Sequence, residues 1–213
     1  ASETDPNNND TDGDGLMDGL EKGVTSAPSS DTNAANFVAD TDGGSTTDPL
    51  DKDSDDDGLN DNTEDADGDG NVDGTETDPS QFDTDGDNLG DGLESGVATA
   101  PSSDTNGSTF VGDTNSATTT DPLDKDSDDD GLNDDTEDAD GDGNVDASET
   151  DPNQFDTDGD TLGDGLESGV TSAPSSDTNS LTFVPDSDGS TTTQPGSSDT
   201  DGDGLTDGEE DVN

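Results

Sequence analysis

The sequence predicts an elongated repeat array of Asp-rich loops with little regular secondary structure. Three observations lead to this fold class. Only 18% of the 213 residues are hydrophobic and 2% are aromatic, so the chain has little material for an apolar core. Acidic twelve-residue segments recur at fixed spacing along the chain. No segment shows the apolar periodicity of an amphipathic helix.

The charge of the chain excludes several functions. The sequence contains 61 acidic residues against three lysines, and its formal net charge is −58. Such a chain cannot bury enough apolar surface to offset the entropy lost on folding, so either it is disordered or something other than a core orders it. The charge disfavours nucleic acid and anionic membrane surfaces as partners. Because Cys and His are absent and no apolar run is long, zinc sites, catalytic triads and membrane insertion are not expected.

An internal repeat of 73 residues organises the chain. Residues 53–97 match residues 126–170 at 40 of 45 positions. This period predicts repeat unit 1 at 1–73, repeat unit 2 at 74–146 and a shorter repeat unit 3 at 147–213. Both ends of the chain fall inside an acidic motif that is continuous in the other copies. We therefore expect the chain to be a segment of a longer array.

Each repeat unit contains an insert rich in Ser, Thr, Gly and Pro. The three inserts are Gly23–Lys52, Gly96–Lys125 and Gly169–Ser198. Each carries a Val near its start and a Phe-Val pair further on, such as Val24 and Phe37 in the first insert. Two interpretations are open: a flexible linker, or a short β-hairpin that pairs the Val end with the Phe end. The hydroxyl-rich runs are also candidate sites for O-linked glycans.

The acidic segments follow the template D-x-D-x-D-G-x-x-D-x-x-E. Eight windows of twelve residues fit this template, and we number them 1 to 8 in chain order. In windows 4 and 7 the sixth position holds Asn88 or Thr161 instead of Gly. The windows span Asp10–Glu21, Asp53–Glu64, Asp65–Glu76, Asp83–Glu94, Asp126–Glu137, Asp138–Glu149, Asp156–Glu167 and Asp199–Glu210.

The spacing within a window suits a loop that wraps around a calcium ion. Calcium takes about six to eight oxygen ligands, which short Asp side chains at positions 1, 3 and 5 can supply while Gly at position 6 permits a sharp turn. Position 7 offers its backbone carbonyl, and position 9 offers a carboxylate directly or through water. At position 12 the longer Glu can bind through both of its oxygens. Magnesium fits less well, because it keeps its waters and binds few carboxylates.

The distribution of the two acids supports this assignment. The chain has 51 Asp and ten Glu, and eight of the ten Glu occupy position 12 of a window. A merely acidic coil would not sort Asp and Glu by position, so we predict calcium as the bound ion, with about eight ions or more. The predicted metal ligands are Asp10, Asp12, Asp14, Leu16, Asp18, Glu21, Asp53, Asp55, Asp57, Leu59, Asp61, Glu64, Asp65, Asp67, Asp69, Asn71, Asp73, Glu76, Asp83, Asp85, Asp87, Leu89, Asp91, Glu94, Asp126, Asp128, Asp130, Leu132, Asp134, Glu137, Asp138, Asp140, Asp142, Asn144, Asp146, Glu149, Asp156, Asp158, Asp160, Leu162, Asp164, Glu167, Asp199, Asp201, Asp203, Leu205, Asp207 and Glu210.

The windows differ from EF-hands, whose loops need a helix on each side. Glu64 ends window 2 and Asp65 begins window 3, and windows 5 and 6 adjoin in the same way. We therefore expect ions in neighbouring windows to lie close together and to share carboxylates. A weaker candidate window at the end of the first insert contains Asp40, Asp42, Asp48 and Asp51.

The windows resemble the thrombospondin type 3 repeat family in its bacterial form. The resemblance rests on D-T-D-G-D-G-L-x-D-G-x-E at Asp10 and Asp199 and on recurrent T-D-P triplets, and it covers somewhat over half of the chain. It implies a backbone wrapped around rows of calcium ions, in secreted or cell-surface proteins that serve as stalks, spacers or parts of adhesins. This chain lacks the cysteines of the animal members. The T-D-P triplets begin at Thr4, Thr47, Thr77, Thr120 and Thr150.

These features predict a structural function. Each calcium ion brings two positive charges, so eight would change the net charge from −58 to −42, and their binding would supply free energy of folding. The residual charge favours an extended rod. We expect a non-enzymatic, extracellular or cell-surface calcium-binding protein that forms a rigid stalk or fibre segment, with like chains as partners in the fibre. The alternatives are a calcium-dependent adhesin region and a calcium buffer.

Overall fold

The computed structural model describes residues 3–187 and 189–211. Within these residues the helices are six single turns of four residues each, and no β-strand is present. The absence of a sheet agrees with the predicted scarcity of regular structure. The turns are α1 (Asp18–Glu21), α2 (Asp61–Glu64), α3 (Asp91–Glu94), α4 (Asp134–Glu137), α5 (Asp164–Glu167) and α6 (Asp207–Glu210).

Each helical turn covers positions 9 to 12 of a window, in windows 1, 2, 4, 5, 7 and 8. The chain enters each turn from an extended residue where this is described, as at Asn60 before α2 (φ −92°, ψ 148°). The Asp at position 9 places a negative charge at the N-terminus of the turn. One turn is too short to be stable alone, so contacts around it must hold it. The sequence does not predict these turns, because four residues are too few to show a helical period.

Two positions in every window take a left-handed backbone. Position 6 has a positive φ in all eight windows, including Gly58 (107°) and the two residues that replace Gly, Asn88 and Thr161 (both 93°). A β-branched Thr is strained in this conformation. Position 4 also has a positive φ throughout, even where it is Asp56 (66°) or Asp129 (65°) rather than Gly. The eight windows therefore share these two backbone turns.

The chain divides into two compact units. The amino-terminal unit comprises Ala1–Thr84, Gly90–Leu93 and Val97–Gly112. The carboxy-terminal unit comprises Asp85–Leu89, Glu94–Gly96 and Asp113–Asn213. Windows 1 to 3 lie in the first unit, windows 5 to 8 lie in the second, and window 4 is divided between them. The boundaries of the three repeat units stay predictions.

The side chains buried in these units are mostly acidic. The largest fully buried side chains are Glu64, Glu137 and Glu167, followed by a series of Asp residues. Proteins rarely bury carboxylates fully unless a cation or hydrogen bonds compensate them. The interior of each unit therefore contains carboxylates in place of the hydrophobic side chains of a conventional core. Among the described residues the buried hydrophobic side chains are Leu16, Leu20, Leu89 and Leu93.

The inserts close on themselves through isolated hydrogen bonds. In the first insert the amide of Asp40 donates to the carbonyl of Val24 (3.1 Å), and in the third the amide of Asp186 donates to the carbonyl of Val170 (2.8 Å). Each bond joins the start of an insert to a residue beyond its Phe-Val pair. A hairpin needs a ladder of such bonds. The β-hairpin, one of the two interpretations of the inserts, is not formed in the part of the chain that the structure describes.

Candidate metal centres

The first five residues of a window bring three carboxylates together. In window 1, oxygens of Asp10, Asp12 and Asp14 lie within 4.8 Å of one another. Asp12 Oδ1 accepts a hydrogen bond from the amide of Asp14 (3.0 Å), and Asp14 Oδ1 accepts one from the amide of Leu16 (2.8 Å). The second oxygens, Asp12 Oδ2 and Asp14 Oδ2, are buried and accept no hydrogen bond. One oxygen of each carboxylate therefore accepts a hydrogen bond within the loop, and the other oxygen is available to bind a cation.

Window 2 repeats this arrangement with deeper burial. Asp53, Asp55 and Asp57 form a group of the same kind, and Asp53 and Asp57 are 0% and 1% exposed. Asp53 Oδ1 and Asp55 Oδ2 are buried without a hydrogen bond. In window 5 of the carboxy-terminal unit, Asp126 Oδ2 and Asp128 Oδ2 are likewise buried without a hydrogen bond. The predicted ligands at positions 1, 3 and 5 thus come together as the template requires.

The Glu at position 12 is oriented by a threonine. Glu64 is 2% exposed, and its Oε1 accepts a hydrogen bond from the Thr77 hydroxyl (3.0 Å). Its Oε2 is buried and accepts none. Thr77 begins a T-D-P triplet. The recurrence of this triplet was the sequence signal for a Thr that orients the Glu at position 12, a role that sequence reasoning missed. The same contact joins Thr47 to Glu21, Thr120 to Glu94 and Thr193 to Glu167.

The Asp at position 9 closes its own loop. In window 2, Asp61 Oδ1 accepts from the amide of Ser54 and Asp61 Oδ2 accepts from its hydroxyl, both at 2.8 Å. The position-9 carboxylate, a predicted ligand, therefore uses both oxygens to hold position 2. Sequence reasoning missed the hydroxyl at position 2, although Ser or Thr recurs there. The same pairs are Thr11–Asp18, Thr84–Asp91, Ser127–Asp134, Thr157–Asp164 and Thr200–Asp207.

Carboxylates from two windows also meet in one group. Oxygens of Asp57 and Glu64 in window 2 and of Asp91 in window 4 lie within 4.8 Å of one another, and all three residues are buried. The amide of Gly92 donates to Asp57 Oδ2 (2.8 Å), which ties α3 to window 2. The sequence predicts shared carboxylates between adjoining windows such as 2 and 3, whereas this group joins windows 2 and 4. The same amide contact runs from Gly165 to Asp130 and from Gly208 to Asp160.

Windows 3 and 6 are built differently, and they have no helical turn. In window 3, Glu76 Oε1 accepts from the amide of Ala66 and Glu76 Oε2 accepts from the amide of Asp73, both at 3.0 Å. Asp65, Asp67 and Glu76 still form an acidic group, but Asp67 is exposed. Position 2 is Ala in both windows, so it has no hydroxyl to donate to the carboxylate at position 9. The shared template does not distinguish these two loops from the other six.

The remaining predicted sites differ in exposure. In window 8, Asp201, Asp203 and Glu210 are exposed, whereas Asp207 is buried. The weaker candidate at the end of the first insert keeps two of its four members. Asp40 is 2% exposed with a buried, unpartnered Oδ2, and the half-buried Asp51 has a buried, unpartnered Oδ1, while Asp42 and Asp48 are exposed.

Burial raises the pKa values of the grouped acids. The pKa of Glu64 is raised to about 10, chiefly by burial and then by the negative charges of Asp55 and Asp57. The pKa values of Glu94 and Glu137 are also raised to about 10, again mainly by burial. Bringing such groups together in ionised form requires a compensating positive charge.

We expect the cation-free protein to lose stability as the pH rises. The pKa of Glu64 goes from 4.5 to about 10, so the folded state holds more protons than the unfolded state between these values. Stability therefore falls with increasing pH across that range. In calcium-free buffer, circular dichroism and hydrodynamic radius should indicate more order at pH 4 than at pH 8. Equal order at both pH values would contradict this prediction.

Two lysines lie beside acidic loops. In window 1, Lys52 Nζ is 3.4 Å from the position that a Cβ on Gly13 would occupy. Burial raises the pKa of Asp12, and the charge of Lys52 opposes that shift. Lys125 Nζ has the same relation to Gly86 at 3.0 Å. Lys52 and Lys125 thus place positive charges near these loops, and these charges would repel a bound cation.

Replacing Lys52 by Gln is expected to tighten calcium binding to window 1. A partly solvent-screened charge near a site is worth about 0.3–1 kcal/mol, so the affinity should rise about two- to fivefold at low ionic strength. Calorimetric titration with calcium would measure the change. Lys22→Gln is the matched control, because Lys22 is exposed and lies outside the loop. An equal gain in both variants would show that only the net charge matters.

No helix within the described residues is long and apolar enough to cross a membrane. No family model matches the chain, and none of the curated proteins or solved structures is significantly similar to it.

Proposed function

We propose that this protein binds calcium through its Asp-rich windows and that the bound ions stabilise its loops. The observation that supports this proposal is the set of buried carboxylate oxygens without hydrogen bonds, which converge within single windows. In window 2 the residues that would hold an ion are Asp53, Asp55, Asp57 and Glu64. A bound cation would compensate the burial and the neighbouring negative charges that raise the pKa of Glu64.

The chemistry of these donors favours calcium over other metals. All side-chain donors are oxygens, and the sequence has no His or Cys to bind zinc or copper. Calcium accepts many carboxylates in irregular geometry, whereas magnesium demands a near-ideal octahedron and retains waters. The high density of carboxylates in each window therefore suits calcium.

We further propose that the protein is an extracellular structural segment, a rigid stalk or part of a fibre. The resemblance to thrombospondin type 3 repeats supports this assignment, as does the repetition of one loop along the chain. Calcium outside cells is abundant enough to fill sites of about 10⁻⁴–10⁻³ M affinity, which is the range of extracellular calcium modules. A role as an adhesin region would add a partner to the same calcium-bound segment.

Equilibrium dialysis against calcium, with metal analysis of the protein, tests the binding proposal. We expect about eight ions per chain in millimolar calcium, one for each window, and far fewer in equal magnesium. Asp57→Asn should reduce the number bound, because Asp57 belongs to two acidic groups. Asp31→Asn in the first insert is the matched control and should leave it unchanged. Fewer than about two ions per chain would refute the proposal.

A further inference from the structure

The second and third inserts each pack on a window through a Phe ring. In the amino-terminal unit, the half-buried Phe110 lies against Gly58 and leaves no room for a Cβ there. In the carboxy-terminal unit, Phe183 lies against Gly131 in the same way. Gly58 and Gly131 are position 6 of windows 2 and 5, and both are buried. Each insert therefore covers the sharp turn that follows the carboxylates at positions 1, 3 and 5 of its window.

A buried hydroxyl from the same insert reaches the carboxylate at position 1. Thr105 is 7% exposed, and its hydroxyl donates to Asp53 Oδ2. Asp53 is 0% exposed, and its Oδ1 is buried and accepts no hydrogen bond. In the carboxy-terminal unit, Thr178 makes the same contact with Asp126, whose Oδ2 is buried and unpartnered. The insert thus holds one oxygen of each carboxylate, and the other oxygen is available for a cation.

An Asp at position 4 distinguishes the two windows that receive an insert. Position 4 is Asp56 in window 2 and Asp129 in window 5, and it is Gly in the other six windows. The amide of Asn106 donates to Asp56 Oδ1, and the amide of Asn179 donates to Asp129 Oδ1, both at 2.6 Å. Both Asp residues have a left-handed backbone, which Gly adopts without steric cost. The costlier residue therefore occurs where its carboxylate receives an insert.

The carboxylate at position 1 is held differently in windows that receive no such hydroxyl. In window 7, Asp156 Oδ1 accepts from the amide of Gly159 (2.7 Å) and Asp156 Oδ2 accepts from the amide of Thr161 (2.8 Å). Backbone amides also occupy both oxygens at position 1 of windows 3, 6 and 8. In windows 2 and 5 the insert hydroxyl takes one oxygen, and the other is left without a hydrogen bond.

We propose that Thr105 and Thr178 are positioning residues for calcium, and that their inserts make windows 2 and 5 bind the ion more tightly. A hydroxyl that donates to one oxygen of a buried carboxylate holds the carboxylate in one orientation. The ligand is then preorganised, so less entropy is lost when the ion binds. This inference rests on the proposed function and extends it, because it places control of window 2 in an insert 52 residues along the chain.

The coupling must act in both directions. If a docked insert raises the calcium affinity of its window by some factor, bound calcium stabilises the docked insert by the same factor. The second and third inserts supply none of the ligands predicted in the eight windows. Calcium is nevertheless expected to order them, through the contacts of the ring, the hydroxyl and the amide with the loaded window.

A calcium titration of the full chain, followed by nuclear magnetic resonance, tests the positioning role. The amides of Gly58 and Gly131 report on windows 2 and 5 separately. Thr105→Val removes the hydroxyl, so the calcium midpoint at Gly58 should rise about tenfold while the midpoint at Gly131 stays unchanged. Thr178→Val should give the reverse result. Thr105→Ser keeps the hydroxyl and should restore the wild-type midpoint at Gly58.

Thr99→Val is the matched control, because Thr99 is exposed in the same insert. It should leave both midpoints unchanged. Phe110→Ala provides a second variant, which releases the insert without altering a predicted ligand and should also raise the midpoint at Gly58.

Three results would overturn the positioning role. These are an unchanged Gly58 midpoint in Thr105→Val, midpoints at Gly58 and Gly131 that move together, or a Thr105→Ser variant that behaves like Thr105→Val. Metal analysis of the wild type separates this inference from the proposed function. A wild type that binds its expected ions while Thr105→Val has no effect refutes the positioning role alone, whereas a wild type that binds almost no calcium refutes both.

Discussion

Removal of calcium is expected to convert the protein from ordered loops to an expanded coil. The buried side chains are mainly carboxylates, and only four hydrophobic side chains are buried among the described residues. Without cations, the charge of −58 opposes any compact state. If calcium binds as proposed, the free energy of ion binding is the main term that favours folding, as in small metal-dependent domains.

A chelator titration followed by small-angle scattering and circular dichroism measures this effect. The radius of gyration should rise to about 50 Å or more, the value for an unfolded chain of this length, and should recover when calcium is restored. Potassium chloride at matched ionic strength is the control, because screening alone reduces repulsion without filling the loops. A chain whose dimensions and spectrum do not respond to chelation would refute the calcium-dependent fold.

Replacement of Glu64 by Gln is expected to stabilise the cation-free protein and to weaken its binding of calcium. In the cation-free protein at neutral pH, folding requires Glu64 to take up a proton, because its pKa is raised from 4.5 to about 10; Gln needs no proton, so the folded state becomes more stable. In calcium, the same substitution removes a charged ligand from a group that includes Asp57 and Asp91, so affinity at that group should fall about tenfold or more.

Denaturant unfolding in chelator tests the expected gain in stability, and calcium titration of the same variant tests the expected loss of affinity. Glu209→Gln is the matched control. Glu209 is the one Glu outside position 12 in α6, it is exposed, and Gln can keep its capping contact with Thr206 (3.4 Å). The control should change neither measurement appreciably. A fall in stability of Glu64→Gln in chelator would contradict the idea that burying the Glu64 carboxyl beside other acids destabilises the cation-free state.

Much of the candidate site was accessible to sequence reasoning because metal ligation is local. Asp10, Asp12 and Asp14 are two residues apart, and the left-handed turns at positions 4 and 6 lie between or beside them within the same window. The scarcity of regular structure also followed from composition. The identity of the ion and the extracellular location stay predictions.

Other parts could not be predicted because they depend on distant residues. Thr47 orients Glu21 from 26 residues away (3.3 Å), and Thr105 reaches Asp53 across 52 residues. The β-hairpin interpretation of the inserts is wrong for the same reason. The Val and Phe ends of an insert suggest pairing, but Phe110 packs on Gly58 instead, where it covers a window.

The sequence alone determined which residues can form each loop, because the order of Asp, Gly and Glu sets the local backbone and the donors within twelve residues. Only the tertiary structure decided how loops combine. Asp91 closes its own window through Thr84 and also joins Asp57 and Glu64 of another window. Such sharing depends on how distant segments pack, and a template that recurs with small changes in eight places does not indicate which copies will meet.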